Sequence, residues 1–294
     1  QITSSSQQGI DVCTRVMVDP GDVILTSNLS YLGALQSFCS YRADIRGIAH
    51  DDDPDAFRQA YEEEIARVKA AGKKIRFLYM IPDFQNPSGE SLTLAERKML
   101  VELAQKHDFL IVEDSPYREL RYEGEHIPTM YSLDPDRVIH LGSFSKIFAP
   151  GFRLGWAIAH PEILDKIYVC KQSLDLCPPI FDQYVAAEFL RSGRLDANLA
   201  KSIELYKGKQ LLANSVQLAL YGNRLEMSGG YTRAFAFDEI TNLTILGKNK
   251  LNIYHGKELY QIKSSKRFNA LKYVNIYHHY KNVLSGDENA KFLG

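Results

Sequence analysis

Short apolar runs alternate with amphipathic helical stretches from residue 1 to about residue 190. The runs at 23–25, 75–79, 109–112 and 138–141 are rich in β-branched residues, as buried parallel strands are. Helices are predicted between them, over 55–71 after an acidic start and over 94–107 after Thr93, a natural helix cap. This alternation predicts a three-layer α/β domain with a mostly parallel sheet.

Composition narrows the class of protein. The 294 residues are 45% hydrophobic, and the net charge of -1 gives no overall attraction to nucleic acid or to an anionic membrane. No apolar run reaches the roughly 18 residues of a membrane span, and the four cysteines have no metal or disulfide spacing. We therefore expect a cytoplasmic protein with no metal, nucleic-acid or membrane partner.

The pattern changes beyond about residue 231. Residues 232–294 carry a net charge of +5, against -6 for the rest of the chain. Short strands are predicted over 242–246, 251–254 and 259–263, and a helix is predicted over 269–284. These elements do not continue the strand–helix alternation. We place a domain boundary near Tyr231, with a large domain over 1–231 and a divergent basic α+β segment over 232–294, whose role stays open.

The most informative polar residues follow the predicted strand at 138–141. Ser143, Ser145 and Lys146 leave that strand in a small-residue turn, and Arg153 comes seven residues after the lysine. Hydroxyls and a guanidinium suit a phosphate, and a lysine beside them suits a phosphate-bearing aldehyde held as a Schiff base. In isolation Lys146 would most often be a solvated surface lysine. Partial burial near a cation would favour the neutral amine that a Schiff base requires.

Other polar residues lie where predicted strands end. Asp114 follows the strand at 109–112, with Tyr117 close by. A carboxylate there needs a cationic partner, or else it caps a helix. Asn86 lies in a Pro-Gly turn after the strand at 75–79, and its amide suits a ring oxygen. Tyr31 follows the strand at 23–25, where it either stacks on a flat heterocycle or is simply half-buried.

A polar turn opens the chain. Ser6 and Gln7 lie in it, directly before a helical pattern that runs through Val12, Val16 and Met17. The N-terminus of a helix offers free N–H groups and the positive end of a dipole, which together suit a phosphate. Most such segments are only helix caps, so this turn carries little weight alone.

Five motifs in this order resemble the pyridoxal phosphate-dependent aminotransferases of fold type I, class I/II. The resemblance is greatest to 2-aminoadipate and kynurenine-type transaminases and to the related effector domains of GntR/MocR regulators, and it covers residues 1 to about 231. The motifs that carry it are Ser6-Gln7-Gln8, Ser30-Tyr31-Leu32-Gly33, Asn86-Pro87-Ser88-Gly89, Asp114-Ser115-Pro116-Tyr117 and Ser143-Phe144-Ser145-Lys146 with Arg153.

The resemblance implies roles for single residues. Lys146 would form the Schiff base with the cofactor and move the proton between substrate Cα and cofactor C4′. Asp114 would pair with the pyridine nitrogen, Asn86 and Tyr117 would bond the ring oxygen, and Tyr31 would stack on the ring. The phosphate would be held by Ser6, Gln7, Ser143, Ser145 and Arg153.

The implied function is amino-group transfer between an amino acid and a 2-oxo acid, by a homodimer. The chain departs from the family pattern in three places. Sequence that relatives carry ahead of the Ser-Gln turn is absent, Ser5 replaces a common glycine, and no late arginine in the right context is present to hold the substrate carboxylate. A non-catalytic effector domain of a GntR/MocR-type regulator, or a truncated chain with impaired catalysis, is therefore the alternative.

Overall fold

The computed structural model describes residues 1–207, 216–220, 223–229, 232–246, 250–256 and 258–263, together with Val274 and Tyr277. The chain forms two compact units, 1–208 and 209–294. The boundary predicted near Tyr231 lies further along the chain than this division at residue 208 and stays a prediction. The role of the segment over 232–294 stays a prediction.

The described residues of the first unit form seven strands and eight α-helices. The strands are β1 Ile2–Thr3, β2 Val23–Ser27, β3 Asp44–Ile48, β4 Ile75–Met80, β5 Leu110–Asp114, β6 Val138–Ser143 and β7 Gly155–Ile158. The helices are α1 Ser5–Met17, α2 Leu32–Ser40, α3 Pro54–Ala70, α4 Leu94–His107, α5 Met130–Leu133, α6 Pro161–Asp175, α7 Ile180–Arg191 and α8 Arg194–Lys207. The four strands predicted from the sequence are confirmed as β2, β4, β5 and β6, and the two predicted helices as α3 and α4.

The sheet of the first unit has the order β1-β7-β6-β5-β4-β2-β3. Strands β2 to β6 are parallel to one another, whereas β7 runs antiparallel to both β6 and β1. Thr93 caps α4 as expected, and together with Glu96 it forms a capping box, in which each side chain bonds the other's backbone N–H. The parallel pairing of β2 to β6 confirms the mostly parallel sheet predicted from the sequence.

Alternation along the central strands builds one core on each face of the sheet. Leu25 and Leu78 pack on one face with side chains of α3 and α4. Ile24 and Phe77, each one residue earlier, pack on the other face with α1, α2 and α6. Strands buried on both faces explain why the apolar runs are continuous in the sequence. The predicted three-layer arrangement is confirmed.

The described residues of the second unit form two three-stranded sheets. One has the order β10-β9-β8, from Val216–Leu220 (β8), Arg224–Gly229 (β9) and Arg233–Ala236 (β10). The other has the order β11-β12-β13, from Ile240–Leu246, Lys250–His255 and Glu258–Lys263, and it contains the three strands predicted for this region.

Most of the predicted helix over 269–284 lies outside the described residues, as does Tyr231. Tyr277 is described and buried, and its hydroxyl donates to the carbonyl of Ile240 at 2.8 Å. Arg233 forms an ion pair with Glu258 at 3.2 Å. Among the helices of the described ranges, none is long and apolar enough to cross a membrane.

Candidate functional site

The candidate residues gather at one edge of the first unit's sheet. Strands β6, β5, β4 and β2 are adjacent and parallel, so their carboxyl ends meet at the same edge. Ser143 ends β6 and Asp114 ends β5, while Asn86 and Tyr31 lie in the segments that follow β4 and β2. Ligands of open α/β sheets bind at this edge.

Asp114 is a buried carboxylate that is only partly satisfied. One carboxylate oxygen, Oδ2, accepts a hydrogen bond from the hydroxyl of Tyr79 at 2.9 Å. The other, Oδ1, is buried without a hydrogen-bond partner among the described residues. Burial raises the pKa of Asp114 to about 6, although the bond from Tyr79, the charge of His140 and the hydroxyl of Ser6 act in the opposite direction. A cation placed against Oδ1 would restore the charged form.

Glu113, the neighbour of Asp114, is the residue that caps a helix. Its carboxylate is fully buried and accepts hydrogen bonds from the backbone N–H groups of Met130 and Tyr131 in the first turn of α5, at 3.0 and 3.1 Å. It also bonds a ring nitrogen of His140 at 3.2 Å. Successive strand side chains point to opposite faces, so Asp114 does not share this capping role.

Lys146 lies in the turn beyond β6 and is exposed. Its Nζ atom lies 5.6 Å from the centroid of the Tyr117 ring, within the range of a cation–π contact. The expectation that Lys146 is partly buried is wrong for the described residues. The turn directs the following residue, Ile147, into the core instead, and that side chain is 5% exposed.

The residues predicted to bind a phosphate lie in two parts of the chain, the start of α1 and the region that follows β6. Helix α1 begins at Ser5, whose φ of 68° lies in the left-handed region that favours glycine, which explains why a glycine is common there. The Ser5 hydroxyl accepts a hydrogen bond from Nη2 of Arg153 at 2.6 Å. The backbone N–H of Ser145 donates to the hydroxyl of Ser143 at 3.1 Å, while the Ser145 hydroxyl is buried without a partner in the described ranges.

Two aromatic residues flank this edge of the sheet. The ring of Tyr31 lies against Gly33, where a Cβ atom would come within 2.6 Å of ring atom Cζ. The side-chain amide of Gln7 donates to the carbonyl of Gly33 at 2.9 Å, which ties the start of α1 to the segment after β2. On the other side, Tyr117 and Asn86 line the same cavity.

Tyr79 is a site residue that sequence reasoning missed. It lies within β4 and is 1% exposed, and its apolar neighbours make it look like an ordinary core residue. Burial and then the charge of Asp114 raise its pKa well above the ordinary value, so the hydroxyl stays a donor to that carboxylate. The feature that could have identified Tyr79 is its position one residue before the end of β4, the strand adjacent to β5.

Burial of Asp114 predicts a pH-dependent stability for the protein without cofactor. Its folded pKa of about 6 lies above the unfolded value, so the folded state binds more protons between these values and the free energy of unfolding falls as pH rises. Relative to Asp114→Asn, which does not titrate, the wild type should lose about 1 kcal/mol of stability between pH 5 and pH 7. Urea denaturation of both proteins at pH 5 and pH 7 measures this. If the two proteins differed by the same free energy of unfolding at both pH values, the prediction would be wrong.

The residues at this edge fit a flat, phosphate-bearing ring with a cationic nitrogen. The buried Oδ1 of Asp114 lacks a partner within the described part of the chain, and the Ser145 hydroxyl does too. A ring cation would satisfy the first and a phosphate oxygen the second. The other candidate cofactor-binding side chains at this edge are Tyr31, Tyr117 and the exposed Lys146.

The chain is similar in sequence to known proteins. Residues 1–233 match the family model for aminotransferase class I and II. An aromatic-amino-acid aminotransferase from Thermococcus litoralis is 44% identical over 209 residues, which cover 71% of this chain and 50% of that protein.

Two solved structures are also similar. The kynurenine aminotransferase of Pyrococcus horikoshii, solved with PMP, has a TM-score of 0.69 at 29% identity, over 99% of this chain and 76% of its own. LysN, an alpha-aminoadipate aminotransferase of Thermus thermophilus solved with N-(5'-phosphopyridoxyl)-L-leucine, has a TM-score of 0.66 at 33% identity, over 77% and 60%. The chain spans about half the length of the curated relatives it matches. It belongs to the aminotransferase class I and II family, whose cofactor is pyridoxal phosphate.

Proposed function

We propose that this protein transfers an amino group between an amino acid and a 2-oxo acid, using pyridoxal phosphate. The observation that carries the proposal is the buried Asp114 at the end of β5, next to the strand whose following turn presents Lys146. The relatives described above are aminotransferases by name, which supports the enzyme over a non-catalytic regulator domain.

The ring of the cofactor would be held by four side chains. Bound pyridoxal phosphate supplies an aldehyde that exchanges amines and a ring that accepts electrons from the substrate. Asp114 would face the ring nitrogen and keep it protonated, and Tyr31 would stack on the ring. Asn86 and Tyr117 would donate hydrogen bonds to the ring oxygen, which the cavity they share supports.

The phosphate would lie between the start of α1 and the turn after β6. Ser6 and Gln7 lie in the first turn of α1, where free N–H groups and the helix dipole favour an anion. Ser143 and Ser145 would add hydroxyls, and Arg153 would add a guanidinium from the opposite side. The bond between Arg153 and Ser5 supports this arrangement, because it brings the guanidinium to the start of α1.

Lys146 would have two tasks. Its Nζ atom would hold the cofactor covalently between turnovers, and after release it would carry the proton between substrate Cα and cofactor C4′. Its exposure leaves the amine accessible to a ligand at the edge of the sheet. The Tyr117 ring, beside Nζ, would limit the directions in which the lysine swings.

An amino-transfer assay tests the proposal directly. Purified protein with added pyridoxal phosphate would be incubated with 2-oxoglutarate and each of a panel of aromatic, acidic and aliphatic amino acids. We expect glutamate to form with at least one amino donor, and the names of the relatives make aromatic donors and 2-aminoadipate the first to try. Cofactor binding without glutamate formation by any donor would favour the non-catalytic alternative.

We also propose that the protein is a homodimer. The α6–α7 region presents apolar side chains to solvent, with Leu176 at 81%, Phe181 at 75% and Tyr184 at 70% exposure. Clustered apolar side chains of this kind are typical of surfaces that bind another protein. Sedimentation velocity would give twice the chain mass, and a monomer at micromolar concentration would contradict the proposal.

A further inference from the structure

Arg97 is a fully buried arginine that joins three backbone segments. It lies on α4, and its guanidinium donates to the carbonyls of Leu92 at 3.2 Å, Pro128 at 3.2 Å and Pro82 at 3.1 Å. It also donates to Oδ1 of Asp83 at 2.8 Å. Since arginine stays charged even when buried, these bonds must replace the water that the guanidinium has lost.

Asp83 connects this arginine to a second one. Its carboxylate is fully buried, and the same Oδ1 accepts a hydrogen bond from Nη2 of Arg121 at 2.7 Å. The guanidinium of Arg121 lies 4.8 Å from the centroid of the Phe84 ring, so it contacts the 81–93 loop a second time. We call Asp83, Arg97 and Arg121 the Asp83 clamp.

The clamp joins the two segments that carry the proposed partners of the ring oxygen. The loop over 81–93, between β4 and α4, contains Asn86 three residues after Asp83. The segment over 115–129, between β5 and α5, contains Tyr117 four residues before Arg121. The bond between Asp83 and Arg121 joins the two loops directly, and Arg97 bonds a carbonyl or carboxylate in each of them.

We propose that Asp83, Arg97 and Arg121 are positioning residues that set the spacing between Asn86 and Tyr117. The inference rests on the proposed function, because that function gives Asn86 and Tyr117 their common target. Both side chains donate to the ring oxygen, so they stabilise its deprotonated form. When the clamp is loosened, the oxygen binds its proton more tightly and the site titrates at a higher pH.

The first test uses Asp83→Asn, which keeps the size of the side chain and removes its charge. The matched control is Asp108→Asn, which breaks an exposed pair with Arg137 in the same unit. With cofactor bound, the pH midpoint of the near-visible absorbance should rise by about half a unit or more in Asp83→Asn and stay unchanged in the control. An Asp83→Asn protein that is less stable but has an unchanged midpoint would overturn the proposal.

A second test needs no cofactor, so its outcome is independent of the proposed function. In the cofactor-free protein, Asp83→Asn should speed hydrogen exchange in both the 81–93 loop and the 115–129 segment. Faster exchange in the 81–93 loop alone would overturn the clamp. Arg121 is 10% exposed and lies at the margin of the cluster, so Arg121→Gln gives the same two readouts if Asp83→Asn does not fold. The proposed function is tested separately: if borohydride reduction of the wild type with pyridoxal phosphate leaves no cofactor attached to Lys146, that function is wrong.

Discussion

Replacing Lys146 with alanine should lower the rate of amino-group transfer by about a thousandfold or more. The variant loses both the amine that holds the cofactor and the base that moves the proton from substrate Cα. Its fold should be intact, because Lys146 is exposed and lies outside the hydrophobic core. Transfer rates with a saturating amino donor and 2-oxoglutarate measure the effect.

The matched control for this variant is Lys166→Ala. Lys166 is another exposed lysine of the first unit, on α6. We expect this variant to transfer amino groups at the wild-type rate and to have the same thermal midpoint. If Lys146→Ala also kept the wild-type rate, the assignment of an aminotransferase site to this edge of the sheet would be wrong.

Asp114→Asn should be the second most damaging change, lowering turnover by about 100- to 1,000-fold. The amide keeps the shape of the carboxylate but cannot pair with a protonated ring nitrogen, so the ring accepts electrons less well. Cofactor should still attach to Lys146, which separates a defect in chemistry from a defect in binding. The turnover number measured with saturating cofactor checks this.

Glu113→Gln is the informative comparison, because Glu113 is the adjacent carboxylate and is fully buried. It caps α5, so its loss should cost about 1–3 kcal/mol of stability and leave the turnover of the folded protein close to wild type. Glu113→Gln should therefore lower mainly the stability, and Asp114→Asn mainly the turnover. Equal losses of turnover in both would contradict the separate roles assigned to the two faces of β5.

The central strands were predictable from sequence because their signal is local. Residues buried on both faces of a parallel sheet form continuous apolar runs, and polar residues directly after such runs lie at its carboxyl edge. The order of residues along the chain is therefore enough to predict that Asp114 and Asn86 follow adjacent strands at one edge of the sheet. The Thr93 cap of α4 was equally local, since its partner Glu96 is three residues away.

Other parts of the site depend on contacts between residues distant in the sequence. Tyr79 bonds Asp114 across 35 residues, and the Asp83 pair with Arg121 spans 38. A tyrosine in an apolar run and a charged residue in a loop look ordinary when each is read alone. The exposure of Lys146 is what is usual for a lysine read alone, and the expectation of partial burial came from its place after a buried strand.

The measurement that tests this account most directly is the identity of the residue that binds the cofactor. Purified protein would be mixed with pyridoxal phosphate, its absorbance recorded, and the complex reduced with borohydride before peptide mapping. We predict a near-visible band and a single labelled peptide carrying the modification on Lys146. No band, or a label spread over surface lysines, would contradict a pyridoxal phosphate site at the carboxyl edge of this sheet.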